Sequence, residues 1–180
     1  MRRFFAYVFA MTLIGYGFWM GLPSVPEYMH VPPAWTAAYI YAAPVNYTHM
    51  PVPNRPSASV VCMAQVLYFE GQYEPTEGLE AIAATVFNRQ RHHDYPRSIC
   101  GVVYQPNQYS WTSDATKWAV TPPRAFLAMS VAFIQKRDIL EHVYQVTHFH
   151  RSDIRPRWAT TLRYQGTYGQ HRFYTQYDTL

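Results

Sequence analysis

Three groups of residues in this sequence are of types that do chemistry. The first is one carboxylate, Glu70, which closes the apolar run Cys62-Met63-Ala64-Gln65-Val66-Leu67-Tyr68-Phe69. A carboxyl held against Tyr68 and Phe69 is partly desolvated, which penalises its ionised form and raises its pKa. That is how an acid stays protonated near neutral pH. Glu70 is therefore the candidate general acid, although a solvated place in a helix's last turn is the commoner fate of a glutamate. The second group is Gln105-Pro106-Asn107-Gln108-Tyr109-Ser110-Trp111-Thr112. Aromatic rings stack on the apolar faces of sugars while amides bond hydroxyl and acetamido groups, though such runs also make ordinary turns. The third is Thr147-His148-Phe149-His150, where His148 and His150 would share one face of a strand. That spacing is compatible with a metal, with His171 or Asp153 as a third ligand, but no recognised metal motif completes it. Hydrogen-bonded structural or cleft histidines are the simpler assignment, and no cofactor is expected.

The elements that must position these groups are read from periodicity. Ser59 is a plausible N-cap for a first helix carrying Cys62, Val66 and Phe69 on one face, with Met63 and Leu67 beside them. Leu79, Ile82, Ala83, Val86 and Phe87 follow the i, i+3, i+4, i+7, i+8 spacing of a buried helical stripe. Pro75 suits the first turn of that second helix, Glu77 and Glu80 suit its N-terminal end, and His92-His93-Asp94-Tyr95-Pro96 ends it near Arg91. Thr121-Pro122-Pro123 starts a third helix with Phe126, Met129 and Phe133 inward. Val143 to His150 reads as a strand that pairs with Phe173-Tyr174. Gly101 to Asp114, without period, reads as a loop large enough to line a cleft. The class is α+β with helices dominant.

The N-terminal part has a different character. Residues 4–22 form an uncharged, mostly apolar run of 19 behind Arg2 and Arg3. That is about the length needed to cross a bilayer as a helix, and no good cleavage site follows. An uncleaved signal anchor is expected, with secretion after cleavage as the alternative. The positive-inside bias puts the N-terminus in the cytoplasm and the rest on the extracytoplasmic, periplasmic side of a single-pass protein in the inner or cytoplasmic membrane. Residues 23–57 form a spacer; Pro23 to Pro56 hold eight of the 14 prolines, as in a semi-rigid extended segment, although an arm wrapped on the domain would also suit its tyrosines and Trp35. Residues 58–180 form the folded domain. Its two cysteines, Cys62 and Cys100, favour a disulfide outside the cytoplasm over two buried thiols. The net charge of +4 comes from scattered basic residues; it suits anionic envelope polymers or simply a solvated surface, and no nucleic-acid partner is expected.

Taken in order, the blocks resemble a known family. Cys62…Tyr68-Phe69-Glu70…Glu74-Pro75…Gly78…Ala81-Ile82-Ala83…Asn88-Arg89 is similar to the opening of the SleB-like cell wall hydrolases, the family of spore cortex-lytic enzymes. Cys100-Gly101-Val102-Val103-Tyr104-Gln105, Gln108-Tyr109-Ser110-Trp111-Thr112, Thr147-His148-Phe149-His150, Pro156-Arg157-Trp158-Ala159 and Gly169-Gln170-His171-Arg172-Phe173-Tyr174 continue it. The resemblance runs from about Cys62 to Tyr174. It implies a lysozyme- or lytic-transglycosylase-like fold acting on peptidoglycan glycan strands, with one catalytic glutamate that maps to Glu70. Tyr68, Tyr104, Gln105, Gln108, Ser110, Trp111, His148 and His150 are then the candidate substrate contacts. The chain departs from the family where Glu-Ala-Arg-Gly-Glu is usual: it has Glu70-Gly71-Gln72-Tyr73-Glu74, which alters the cleft edge.

The implied reaction breaks the β-1,4 bond between N-acetylmuramic acid and N-acetylglucosamine. A hydrolase would need a second carboxylate, for which Glu74, Glu77 and Asp114 are the nearest candidates; a transglycosylase would not. Two rivals belong to other classes: a metal-dependent amidase or peptidase using the histidines, and a non-catalytic envelope-binding protein with a disabled cleft.

Overall fold

The computed structural model describes residues 47–176. The expected anchor over residues 4–22 lies outside the described residues, as does the spacer as far as residue 46. Among the described residues, no helix is long and apolar enough to cross a membrane.

Among the described residues, six helices precede a small sheet. They are α1 (Ala58–Gly71), α2 (Thr76–Arg91), α3 (Ile99–Val103), α4 (Ala115–Trp118), α5 (Arg124–Gln135) and α6 (Arg137–Val143). The strands β1 (His148–Arg151), β2 (Arg163–Tyr168) and β3 (His171–Thr175) form an antiparallel sheet in the order β1-β3-β2. The helix-dominated α+β class is as expected. The separate strand β2 and the short helices α3, α4 and α6 carry no periodic signal long enough to read.

Helix α2 is the centre of the core. It is buried from Glu77 to Arg89, on every face rather than along one stripe, as expected of a helix surrounded by other elements. Helix α1 packs against α5, α3 and α2, and the Cys62–Cys100 disulfide joins α1 to α3 with the Cα atoms 5.3 Å apart. Its cap is Ser57, whose hydroxyl accepts from Val60 N; the expected cap, Ser59, lies inside the first turn. Pro75 and Pro123 stand immediately before α2 and α5, where a missing N–H is harmless.

The strand expected over Val143 to His150 is half as long. Val143 ends α6, and Tyr144 to Val146 are extended without a strand partner. The carbonyls of Tyr144 and Val146 are taken by α2 instead. Asn88 Nδ2 donates to Tyr144 O (2.6 Å) and Val146 O (2.8 Å), and Arg89 Nε donates to Thr147 O (2.6 Å). A backbone already satisfied by side chains needs no ladder. Pairing with β3 starts at Thr147, whose N–H donates to Tyr174 O, and continues with His148 opposite Tyr174 and Phe149 opposite Phe173.

Ordered packing also starts earlier than the expected domain boundary at residue 58. Tyr47 is buried, meets Phe133 edge-on at 5.4 Å and donates to Glu80 Oε1 at 3.3 Å. Tyr47 and Met50, within the stretch expected as spacer, thus pack on the domain.

Candidate active site

Glu70 stands in the last turn of α1, half-buried. Burial pushes its carboxyl above the ordinary glutamate value. The partial negative charge at a helix C-terminus acts in the same direction. One group opposes the rise. The Trp111 indole Nε1 is buried and closes no well-aligned hydrogen bond, yet its N–H lies near enough to the carboxyl to favour the ionised form. Among the described residues, no second carboxylate adds to the shift.

The wall around Glu70 is aromatic and interlocked. Phe69 stacks on Trp111 with centroids 4.6 Å apart, and Tyr68 meets Phe126 edge-on at 5.4 Å. Trp111 in turn touches Tyr104 at 5.8 Å and Tyr109 at 6.2 Å. The Lys117 ammonium sits 5.9 Å from the Phe69 ring. Tyr109 is buried with its hydroxyl unpartnered, and burial pushes that hydroxyl up to about 12, so it stays a neutral donor. The stretch expected as a loop thus begins inside α3 and contains a 3₁₀ turn, Ser110–Ser113, that presents Trp111 to the end of α1.

Of the expected substrate contacts, Tyr68, Tyr104 and Trp111 are gathered in this wall. Gln105 is half-buried with Oε1 unpartnered, Gln108 is half-buried and Ser110 is exposed. His148 and His150 are elsewhere, on the opposite face of the sheet from Phe149, beside Trp158 at 5.4 and 5.5 Å. His150 is buried with both nitrogens engaged. Nδ1–H donates to Arg151 O (2.7 Å), so Nε2 is the acceptor for the Tyr174 hydroxyl (3.1 Å). Both of its ring nitrogens are thus taken within the domain. His148 is half-buried between Thr147 Oγ1 (3.0 Å) and Tyr95 (3.5 Å), and burial, then the charges of Arg89 and His92, push it down to about 4.

The metal set proposed from the same histidines is not assembled. His171 faces the other side of the sheet, edge-on to Phe149 at 5.2 Å, and Asp153 pairs with Arg151 at 3.0 Å. Among the described residues, the ligand atoms close enough to share an ion are those of His92, His93 and Asp94 on the turn after α2.

The candidate second carboxylates are also occupied elsewhere. Glu74 Oε2 accepts from Gln170 N (2.8 Å), and Oε1 lies 3.1 Å from His171 Nδ1. Asp114 caps α4 by accepting from Thr116 N (3.0 Å) and Oγ1 (2.6 Å), which holds its carboxyl below the usual range. Glu77 is buried on α2 near Glu80, Tyr144 and Tyr168.

One residue escaped the sequence reading. Gln65 lies in the buried stretch of α1, one and a half turns before Glu70, among apolar side chains. Nε2 donates to the carbonyls of Trp118 (3.1 Å) and Val120 (3.4 Å), while Oε1 accepts from the Tyr104 hydroxyl (2.7 Å). A polar residue in an otherwise apolar helical run was the available signal, since a buried amide must find partners.

Known proteins resemble this chain in sequence and in fold. The cell wall hydrolase family matches residues 73–174, more than half of the chain; the match starts three residues after Glu70, so the role of Glu70 rests on its surroundings. The spore cortex-lytic enzyme of Bacillus subtilis is 38% identical over 52 residues, covering 29% of this chain and 17% of that protein. That of Oceanobacillus iheyensis is 34% identical over 56 residues, covering 31% and 20%. The chain therefore matches only about a fifth of the length of these relatives. Among solved structures, the catalytic domain of the germination-specific lytic transglycosylase SleB from Bacillus anthracis superposes with a TM-score of 0.58 at 24% identity, covering 69% of this chain and all of that one. The Bacillus cereus SleB catalytic domain gives 0.55 at 22%, covering 74% and 99%. With the fold shared and the family's blocks spread across the helices and the sheet, this chain belongs to the cell wall hydrolase family.

Proposed function

We propose that this protein cleaves the β-1,4 bond between N-acetylmuramic acid and N-acetylglucosamine in peptidoglycan, as a lytic transglycosylase with Glu70 as acid and then base. The observation that carries this is one half-buried carboxyl raised by its surroundings, while Glu74 and Asp114 are committed to other contacts. Protonated Glu70 donates to the leaving glycosidic oxygen as the bond from muramyl C1 breaks. The muramyl C6 hydroxyl then attacks C1 within the same sugar and gives its proton to ionised Glu70. The product is a 1,6-anhydro sugar, and the enzyme returns to its starting state. Intramolecular attack needs no activated water and gains the advantage of a nucleophile already in place.

The same reading places residues 4–22 as a membrane anchor that holds the domain against the wall from outside the cytoplasm. Accessibility of the domain to protease added to spheroplasts tests that topology.

The test of the reaction is muropeptide analysis by mass spectrometry after incubating the purified protein with peptidoglycan. Anhydro-muropeptides from the wild type and none from Glu70→Gln support the proposal. Reducing ends that depend on Glu70 would mean a hydrolase instead, and no release from either would refute glycosidic cleavage.

A further inference from the structure

Trp118 is 54% exposed at the end of α4, yet its indole is fixed by a hydrogen bond and a ring contact. Its indole Nε1–H donates to Thr112 O (2.7 Å), and its ring meets Tyr104 edge-on at 5.7 Å. Its own carbonyl accepts from Gln65, which also holds the carbonyl of Val120 two residues on and receives the Tyr104 hydroxyl.

Gln65 itself is 3% exposed and is surrounded on α1 by Met63, Ala64, Val66 and Leu67, all fully buried. An amide there gains nothing over an apolar residue as far as helix packing is concerned, because its desolvation must be offset by every hydrogen bond it makes. All three of those bonds go to Tyr104 and the 118–120 segment. What the amide stabilises is the position of the exposed indole.

That position continues the wall around Glu70. Trp118 touches Tyr104, Tyr104 touches Trp111 at 5.8 Å, and the Trp111 indole acts on the Glu70 carboxyl. An exposed aromatic face fixed in one orientation loses little freedom when a ligand stacks on it, which is the energetic benefit of preorganisation. The ligand chemistry that suits a flat apolar face beside a glycosidic acid is the C–H face of a pyranose ring.

We propose that Trp118 is the stacking platform of a sugar subsite on the glycan strand, beyond the scissile bond, and that Gln65 is its positioning residue. The assignment rests on the glycan-cleaving reading of Glu70 and names where that strand is gripped.

The experiment measures KM and kcat of the full-length protein on purified glycan strands for wild type, Trp118→Ala, Trp118→Phe and Gln65→Leu. It also measures strand binding to Glu70→Gln with and without Trp118→Ala. Trp118→Ala is expected to raise KM about five- to tenfold with kcat within about twofold, and Trp118→Phe to recover most of the loss. Gln65→Leu is expected to raise KM similarly while the protein melts no earlier, because the core accepts leucine. An unchanged KM in Trp118→Ala, or equal loss in Trp118→Ala and Trp118→Phe, would overturn the platform. A normal KM in Gln65→Leu would remove its positioning role. If the wild type cleaves nothing but Glu70→Gln binds strands through Trp118, the reaction is wrong and the subsite stands; cleavage indifferent to Trp118 means the reverse.

Discussion

Glu74 Oε1 lies 3.1 Å from Nδ1 of His171, with only 4% and 6% of the two side chains exposed. The other oxygen, Oε2, accepts from Gln170 N. This carboxylate therefore fastens the α1–α2 turn to the β2–β3 hairpin, 96 residues further along the chain. Gly169 completes the joint: its φ is +59°, and a Cβ there would collide with Glu74 Oε2 and Pro75. Two carboxylates four residues apart thus do different work.

Substituting each one separates the roles. Glu70→Gln is expected to abolish muropeptide release while leaving stability unchanged or raised by up to about 1 kcal/mol, because a carboxyl whose pKa burial has raised is penalised when ionised. Glu74→Gln is expected to lower stability by about 1–3 kcal/mol, with activity kept well below the melting temperature. Denaturant unfolding and the release assay on both variants check this.

The pH dependence of the reaction follows from the two influences on Glu70. As the proposed acid, Glu70 would work only while protonated, so activity is expected to fall as pH rises through its raised pKa, with the alkaline limb above the ordinary glutamate value. Trp111→Phe removes the one N–H that favours the ionised form and keeps a ring to stack on Phe69. The limb is therefore expected to move to higher pH, which a pH–rate profile of kcat/KM on glycan strands reads directly.

The disulfide closes a loop of sequence separation 38. In the chain-entropy account such a closure stabilises by about 4 kcal/mol. Cys62→Ala with Cys100→Ala is expected to lose most of that in urea unfolding, and the wild type with dithiothreitol should follow the same curve.

Acid should weaken the sheet side of the domain through His148. Its folded pKa is about 4 against an ordinary 6.5, so the unfolded chain binds the proton first. The stability it contributes is fully present above about pH 6.5 and is lost as pH falls towards 4. Discounted for its partial exposure, the loss is about 2 kcal/mol. His148→Gln should flatten the melting temperature between pH 6.5 and 4; an unchanged slope would count against it.

What the sequence determined by itself is what local pattern can carry. The five-residue stripe of α2 needs only the helical period, and its one-sided appearance understated a helix buried all round. The desolvated setting of Glu70 was legible because the carboxylate directly follows two aromatic residues on an apolar run. Tertiary structure decided the rest, because those choices depend on partners far along the chain. Asn88 and Arg89 take the carbonyls of residues 144, 146 and 147 and so turn an expected strand into a pinned extended segment. Gln65 reads as one polar residue in a buried helix until Trp118, 53 residues on, supplies the acceptor for its amide. Glu74 remained a candidate second carboxylate in the sequence; only the arrival of Gln170 and His171 shows it to be a structural one. Hydrogen-bond satisfaction in a buried site is a three-dimensional condition, and residue types at fixed spacing specify the demand without naming the partner.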